Sequence, residues 1–328
     1  MKKLLTPLLF LLALFSPMLN AAPVTIKIAY ESNPGEPADT VVKHWAELVK
    51  KKSNGDIVFE LYPSSQLGSK QDITEQALMG MNIITISDVG FLTDYDADLG
   101  ILFGPYLTED PQKLFAIYAS DWFKQKEQKL REKGVHIVMS NYLYGTRQII
   151  AKKPIRTPED LKGMKIRVPN NVMQIKAIEA MGATPTPMPL GDVYPALTQG
   201  MIDGVENPVS VLYGQKLHEQ AKYLSMVNYL SMVNYLTNTS LWLGGEAFFS
   251  TLTPAQLDII HQTAYEAGLY SQKITTEQDA TMLKTMQEQG VEIIYPDVAP
   301  FKEKALKVYQ QFPEWTPGLY DTIQQQLK

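Results

Sequence analysis

Short alternations of hydrophobic and polar residues recur through the first third of the chain, and stretches with helical spacing separate them. Residues 24–32, 56–63 and 82–88 show the period of two that is typical of strands. Between them, residues 41–49 and 70–79 place their hydrophobic side chains on one face of a helix. This order of strand, helix, strand, helix and strand predicts an α/β layer with a largely parallel sheet.

The same pattern returns in the second half of the chain. Thr157 begins a short capped turn, residues 165–168 alternate like a strand, and residues 171–182 show a helical pattern closed by a glycine. A short helix limited by Pro195 follows, and then a strand that ends at Pro208. This order predicts a second α/β lobe, with strand ends of both lobes converging where ligands of open α/β sheets bind.

A much longer helix is predicted towards the carboxyl terminus. A capping box at Thr253 begins a helical pattern that continues to about Gln289. At 1.5 Å per residue this helix would be roughly 50 Å long, enough to belong to both lobes. The alternative is two helices broken near Gly268. The other predicted elements are a helix over 111–134, strands over 135–143 and 291–296, and a terminal helix over 301–312.

The hexapeptide YLSMVN occurs twice in tandem between Tyr223 and Leu236. Six residues are far fewer than the period of a solenoid, so the pair is a local duplication. Because six is an even number, a strand extended by one copy would keep its inward and outward faces.

Residues 1–21 have the features of a secretory signal peptide. Lys2 and Lys3 precede an apolar run that ends in small residues. We expect cleavage after Ala21, because cleavage after Ala22 would place Pro23 beside the scissile bond. The alternative is an uncleaved anchor, but an apolar run of roughly 15 residues is shorter than the roughly 20 that a spanning helix needs. The protein is therefore expected to be exported.

Composition narrows the function classes. The formal net charge is −5 and no basic block is present, which argues against nucleic acid as a partner. The chain has no cysteine, and its four histidines show no metal-binding spacing. It also lacks a nucleophile elbow and a phosphate loop. The sequence thus predicts no cofactor and no metal, although an enzyme whose catalytic groups meet only in space remains an alternative.

Polar side chains that can hold an anion stand at the predicted strand ends. Arg147 lies where a strand begins, and Arg167 lies in the strand KIRV, with Asn170 just beyond it. Asn207 lies at the end of another strand. Because arginine presents a planar fork that matches a carboxylate, the two arginines together favour a site for an organic acid. Taken singly, either arginine could be a surface residue.

Several segments match a known family in order and in spacing. They are LYPSSQLGSKQD, GTRQ, DLKGMKIRVPNN, GATPTPMPLGDVYPALTQGMIDGVENP and LTPAQLDII. The chain resembles the substrate-binding proteins of TRAP (tripartite ATP-independent periplasmic) transporters, especially the sialate-binding members. The resemblance implies a periplasmic protein with two α/β lobes, each a mixed sheet flanked by helices, and a long helix shared between them. From the absence of cysteines and metal-binding spacings we also expect a monomer. Lobe I would comprise residues 22–144 plus about 239–278, and lobe II about 145–238 plus about 279–328.

The resemblance also implies how the protein works. The lobes close over an organic acid without catalysis, and the loaded protein docks on a sodium-driven TRAP permease. In the family pattern the arginine of the KIRV strand makes a two-pronged contact with the substrate carboxylate, a role that falls to Arg167. Arg147, Asn170 and Asn207 match further substrate-binding positions.

Five positions depart from the sialate-binding pattern. Glu31 stands where those proteins have an asparagine, and Asp88 and Phe91 stand where they have a glutamate and an arginine. Lys70 replaces an acidic residue, and Leu190 replaces an aromatic one. The resemblance therefore implies a retained carboxylate anchor and an altered remainder of the pocket.

The altered positions suggest the ligand class. Glu31 and Asp88 suit hydroxyl donors, so we expect a smaller polyhydroxylated acid, such as a hexuronate or an aldonate. The alternative ligand is a C4-dicarboxylate, with Lys70 or Arg147 binding the second carboxylate. Two alternative functions are a protein that presents the same ligand to a membrane sensor, and an exported sugar-acid hydrolase or lyase.

Overall fold

The computed structural model describes residues 22–219 and 229–328, so the predicted signal peptide lies outside the described residues. The strands are β1 (Val24–Ala29), β2 (Ile57–Tyr62), β3 (Ile83–Ser87), β4 (Val135–Ala151), β5 (Lys165–Val168), β6 (Thr184–Pro187), β7 (Gly204–Pro208), β8 (Tyr229–Gly245) and β9 (Glu292–Ile294). They form one mixed sheet in the order β2-β1-β3-β8-β4-β7-β5-β6, with β9 beside β8.

Two groups of parallel strands flank a pair of long antiparallel strands. One group is β1 with β2 and β3, and the other is β5 with β6 and β7. Between them, β4 and β8 are each 17 residues long, pair with one another, and connect both groups. The predicted two-lobed α/β fold is confirmed, with the two sheets joined into one. The predicted lobe boundaries at 144 and 238 fall inside these long strands and stay predictions.

The α-helices of the described residues are α1 (Pro37–Lys52), α2 (Lys70–Leu78), α3 (Pro111–Ala119), α4 (Asp121–Glu132), α5 (Val172–Met181), α6 (Val193–Thr198), α7 (Val209–Gly214), α8 (Glu246–Phe249), α9 (Pro254–Glu288), α10 (Ala299–Ala305) and α11 (Leu319–Gln326). The single helix predicted over 111–134 is wrong. Ser120 has an extended backbone, with ψ at 160°, and its hydroxyl accepts a hydrogen bond from the Phe123 N–H at 3.3 Å. Ser120 therefore ends α3 and caps α4.

The carboxyl-terminal segment also differs from its prediction. The helix expected over 301–312 is the short α10 followed by a 3₁₀ turn at Leu306–Gln310, and α11 was not predicted. This segment packs on the core through buried Phe301, Val308 and Ile323.

The long helix α9 is continuous over 35 residues, which confirms the single helix predicted here and excludes the alternative of a break near Gly268. A Cβ at Gly268 would lie 2.0 Å from the side-chain oxygen of Asn141, which shows that the glycine allows close approach of the helix to β4. The helix contacts α1, where the Trp45 indole donates to Thr263 at 3.1 Å, and α7, where Asp279 accepts from the Ser210 N–H at 2.9 Å. It therefore joins both halves, as predicted. Among the described residues, no helix combines the length and the apolar character needed to cross a bilayer.

The hydrophobic core lies on both faces of the sheet and not in one cluster for each lobe. Leu241 and Leu243 of β8 belong to the cluster on one face, and Trp242 between them belongs to the cluster on the other. Trp242 is fully buried and makes edge-to-face contacts with Trp45 and Tyr142 at centroid distances of 6.0 and 5.9 Å. Both faces of β4 and β8 are thus covered, as expected for strands that lie in the middle of an α/β sheet.

The strand β4 is longer than predicted, and Arg147 lies inside it instead of at its start. The backbone of Arg147 is opposite Pro208 on one side and Leu236 on the other. The ladder shifts register near Gly145, which has a φ of +129°. The polar sequence GTRQ has the composition of a strand end. It nevertheless lies within the sheet, because this part of β4 pairs with β7 on one side and with β8 on the other.

The second copy of YLSMVN contains a bulge, and the first copy lies outside the described residues. Arg147 is opposite Leu236 but Ile149 is opposite Ser231, so four residues of β8 face only Gln148. The Gln148 amide binds both the backbone N–H and the side chain of Asn234, at 2.9 and 2.6 Å. The ladder is therefore irregular at the second copy of the repeat.

We predict that Gly145→Ala destabilises the protein more than Gly55→Ala does. Both glycines have positive φ, but a Cβ at Gly145 would lie 2.8 Å from the Cβ of Pro208, whereas Gly55 has no atom within 4 Å of that position. We expect a loss of about 2–3 kcal/mol for Gly145→Ala and about 1 kcal/mol for Gly55→Ala. Urea unfolding of both variants measures this, and equal losses would contradict the packing role of Gly145.

Candidate functional site

A cavity opens where strand ends of the two halves meet. Its empty volume is about 510 Å³, including the opening to solvent. The structure brings together every residue that the sequence singled out, which are Glu31, Lys70, Asp88, Phe91, Arg147, Arg167, Asn170, Leu190 and Asn207.

Local structure explains how these side chains converge. Asp88 directly follows β3, Glu31 follows β1 by two residues, and Asn170 follows β5 by two residues. Lys70 is the first residue of α2, whose start is fixed by a capping box between Ser69 and Asp72. Because these strands run in parallel within each half, their carboxyl ends meet at the cleft.

Arg167 is a buried cation without a carboxylate partner. Its side chain is 3% exposed, and its Nε and Nη2 both donate to the Met188 carbonyl oxygen, at 3.0 and 2.6 Å. Within residues 22–219 and 229–328 no acidic side chain lies within 4.0 Å of the guanidinium. Burial lowers the pKa of Arg167 to about 10, although Glu206 and Glu31 oppose the shift. The side chain is therefore charged at neutral pH and can accept an anion.

Arg147 has the opposite environment. Its guanidinium binds both carboxylate oxygens of Glu206, one of them at 2.9 Å, and its Nη1 donates to the Asn238 side chain at 2.7 Å. Glu206 is fully buried and also accepts hydrogen bonds from Tyr235 and Gln174. Burial would lower the pKa of Arg147, but Glu206 raises it above its usual value. The charge of Arg147 is thus neutralised within the protein.

Lys70 and Asp88 form the second ion pair of the cavity, with Nζ 2.8 Å from Oδ2. The other oxygen of Asp88 accepts from Ser240 at 2.6 Å and from Asn238 at 3.2 Å. Burial would raise the pKa of Asp88, but the Lys70 ammonium and these hydrogen bonds hold it below its usual range. Both oxygens of Asp88 therefore form hydrogen bonds within the protein, and this carboxylate holds the Lys70 side chain in place.

Asn238 connects the two ion pairs, because it accepts from Arg147 and donates to Asp88. The sequence analysis missed Asn238, Glu206 and Ser240. The available signals were the polar run TNTS within an otherwise apolar strand and the glutamate of GVENP, which lies in a strand that is buried throughout. These three residues do not line the cavity but bind the side chains of Arg147 and Asp88, which do. We call them the floor of the cleft.

The asparagines of the site differ in their roles. Asn171 caps α5, since its side-chain oxygen accepts from the backbone N–H groups of Met173 and Gln174 at 3.0 and 3.3 Å. Asn170 and Asn207 line the cavity, and neither side chain forms a hydrogen bond with another described residue. Both amides are therefore available to a ligand.

The histidines lie elsewhere. His136 is buried, with Nδ1 2.7 Å from Glu246 and Nε2 3.0 Å from His261, outside the cavity. Within the described part of the chain, no group of three or more histidine or acidic side chains could hold a metal ion.

Comparison with known proteins identifies the family. Residues 28–314 match the bacterial extracellular solute-binding protein family 7, DctP. The chain is 28% identical over 293 residues to the sialic acid-binding periplasmic protein SiaP of Vibrio cholerae, covering 89% of each chain.

Solved structures show the same fold. A TRAP periplasmic solute-binding protein from Ochrobacterium anthropi with bound L-fuconate is 66% identical, with a TM-score of 0.91 over 94% of this chain and 100% of the other. Another from Actinobacillus succinogenes 130z with bound L-galactonate is 42% identical, with a TM-score of 0.89 over 93% of this chain and 99% of the other. The chain therefore belongs to family 7 of the bacterial extracellular solute-binding proteins, the DctP family of TRAP transporters.

Proposed function

We propose that the protein captures a six-carbon sugar acid, an aldonate such as L-galactonate or L-fuconate, and delivers it to a TRAP permease. The observation that carries this proposal is Arg167, a buried and positively charged side chain that lines the cavity and lacks a carboxylate partner in the described chain. A ligand carboxylate would supply that partner through two charge-assisted hydrogen bonds. Asn170 and Asn207 offer further amide groups beside it.

The bound acids of similar proteins support an aldonate. The structures that are 66% and 42% identical hold L-fuconate and L-galactonate. L-fuconate is the 6-deoxy form of L-galactonate, so the two acids share one configuration along the carbon chain. A protein that is 26% identical holds β-D-galacturonate, which makes a hexuronate the second candidate.

The ion pairs of the cavity disfavour the C4-dicarboxylate alternative. Its second carboxylate would need Lys70 or Arg147, but these cations are already paired with Asp88 and Glu206. Releasing either cation would leave a buried carboxylate without its partner, which costs several kcal/mol. One cation, Arg167, therefore remains for one ligand carboxylate.

A thermal-shift panel tests the ligand class. L-galactonate, L-fuconate, D-galacturonate and succinate are added separately, and a ligand at 100 times its dissociation constant adds about 2.7 kcal/mol of stability. Recovery of the bound acid unchanged after incubation supports a binding protein, whereas conversion of the acid would support the hydrolase or lyase alternative. We further propose that the exported protein is a periplasmic monomer, freed of residues 1–21.

We predict that Arg167→Ala and Arg167→Lys both lose affinity for the acid. Removing one member of a buried charge pair costs roughly 2–5 kcal/mol, or about 30- to 4,000-fold in the dissociation constant. Lysine fails substantially because a single ammonium cannot reproduce the fork. Isothermal titration with the acid found in the panel measures the change.

Arg156→Ala is the matched control, since Arg156 is exposed and lies outside the cavity. Its affinity should equal that of the wild type. Melting curves of all variants show whether each one is folded. If both Arg167 variants bind within threefold of the wild type, Arg167 is not the anchor.

We predict that sialate binds weakly or not at all. The resemblance implies that Asp88 and Phe91 replace the glutamate and arginine with which sialate-binding proteins recognise sialate, and that Lys70 replaces an acidic residue. In this chain Lys70 and Asp88 are paired with one another, and the Phe91 ring lies 5.4 Å from the Lys70 ammonium. A submicromolar dissociation constant for sialate in calorimetry would contradict this view of the cavity.

A further inference from the structure

One donor and one acceptor face each other across a gap in the cavity wall. The Glu31 carboxylate lies 3.9 Å from the Lys70 ammonium, too far for a hydrogen bond, and both residues line the cavity. Their side chains are 12% and 10% exposed, so the gap is largely screened from bulk water.

Each group keeps unused hydrogen-bonding capacity. Lys70 donates one hydrogen bond, to Asp88, which leaves two of its N–H groups. The Phe91 and Tyr144 rings flank the ammonium at 5.4 and 5.7 Å and offer no carboxylate. Within the described residues the Glu31 carboxylate accepts no hydrogen bond. A ligand group that fills the gap can therefore accept a hydrogen bond from Lys70 and donate one to Glu31.

We propose that Glu31 and Lys70 together bind one hydroxyl of the sugar acid, which donates to Glu31 and accepts from Lys70. This assignment rests on the proposed function, in which Arg167 holds the carboxylate. A hydroxyl is the simple ligand group that both donates and accepts, whereas a second carboxylate or a phosphate only accepts. Asp88 acts as a positioning residue, because both of its oxygens are bound within the protein.

The charges of the cavity also favour a hydroxyl over a second negative group at this position. Asp88 already balances Lys70, and Glu31 adds a second carboxylate at this end of the cavity. A second negative group on the ligand would meet a carboxylate in a site of low dielectric constant, where like charges repel strongly. The site thus selects polyhydroxylated acids with one negative charge and excludes diacids of the same length.

The test compares L-galactonate with galactarate, the diacid with the same carbon chain, by isothermal titration. The variants are Glu31→Gln and Glu31→Asp, and Glu47→Gln, which changes an exposed glutamate of α1, is the control. We expect the wild type to prefer L-galactonate by about 100-fold, and Glu31→Gln to lower that ratio at least about tenfold. A ratio that falls less than about fivefold would overturn the proposal.

The variant Glu31→Asp distinguishes the effect of the hydrogen bond at residue 31 from the effect of its negative charge. Its shorter side chain keeps the negative charge but withdraws the oxygen, so L-galactonate should bind about tenfold more weakly while galactarate stays excluded. Unchanged L-galactonate affinity in this variant would also overturn the proposal. If the wild type binds neither acid, the proposed function fails and this inference with it, whereas Arg167-dependent binding with an unchanged ratio refutes the Glu31 assignment alone.

Discussion

The buried ion pair between Arg147 and Glu206 sets the arrangement of the cleft. Arg147 lies on a long strand shared by both halves, and Glu206 lies on a strand of the second half. Asn238 extends the pair to Asp88 and Lys70 of the first half. A buried ion pair requires close geometry and satisfied hydrogen bonds to offset its desolvation. The floor of the cleft is therefore specified by side chains from both halves at once.

Arg167 differs from the other two cations of the cavity, Lys70 and Arg147, because it has no ion-pair partner among the described residues. Its burial carries a desolvation cost that Glu206 and Glu31 offset only in part, and the lowered pKa is the sign of that cost. In the proposed function, the ligand carboxylate would remove this penalty, so part of the affinity would come from a cost already present in the protein. The site is thus prepared for its ligand at the expense of stability, a common property of functional sites.

Periodicity predicted the alternation of strands and helices along the chain and the continuous α9, because these depend on local spacing. Strand ends indicated Arg147, Arg167, Asn170 and Asn207, whereas the other predicted cavity residues came from the family resemblance. The partners of those side chains were missed. Glu206 is 59 residues from Arg147, and Ser240 is 152 residues from Asp88. Pairing over such distances depends on strand register, which a single sequence does not show. The bulge opposite Gln148 was missed for the same reason, since an even repeat is compatible with a regular strand.

The continuity of the sheet has a mechanical consequence. Because β4 and β8 run through both halves, the halves are not independent domains joined by a flexible linker. Widening the cleft must change the twist of a hydrogen-bonded ribbon, and the irregular positions near Gly145 and Asn234 are where such a change is least costly. The continuous ribbon therefore leaves the two halves only a restricted range of angles. A restricted range lowers the entropy that ligand capture must remove, which favours binding of a small, strongly hydrated solute.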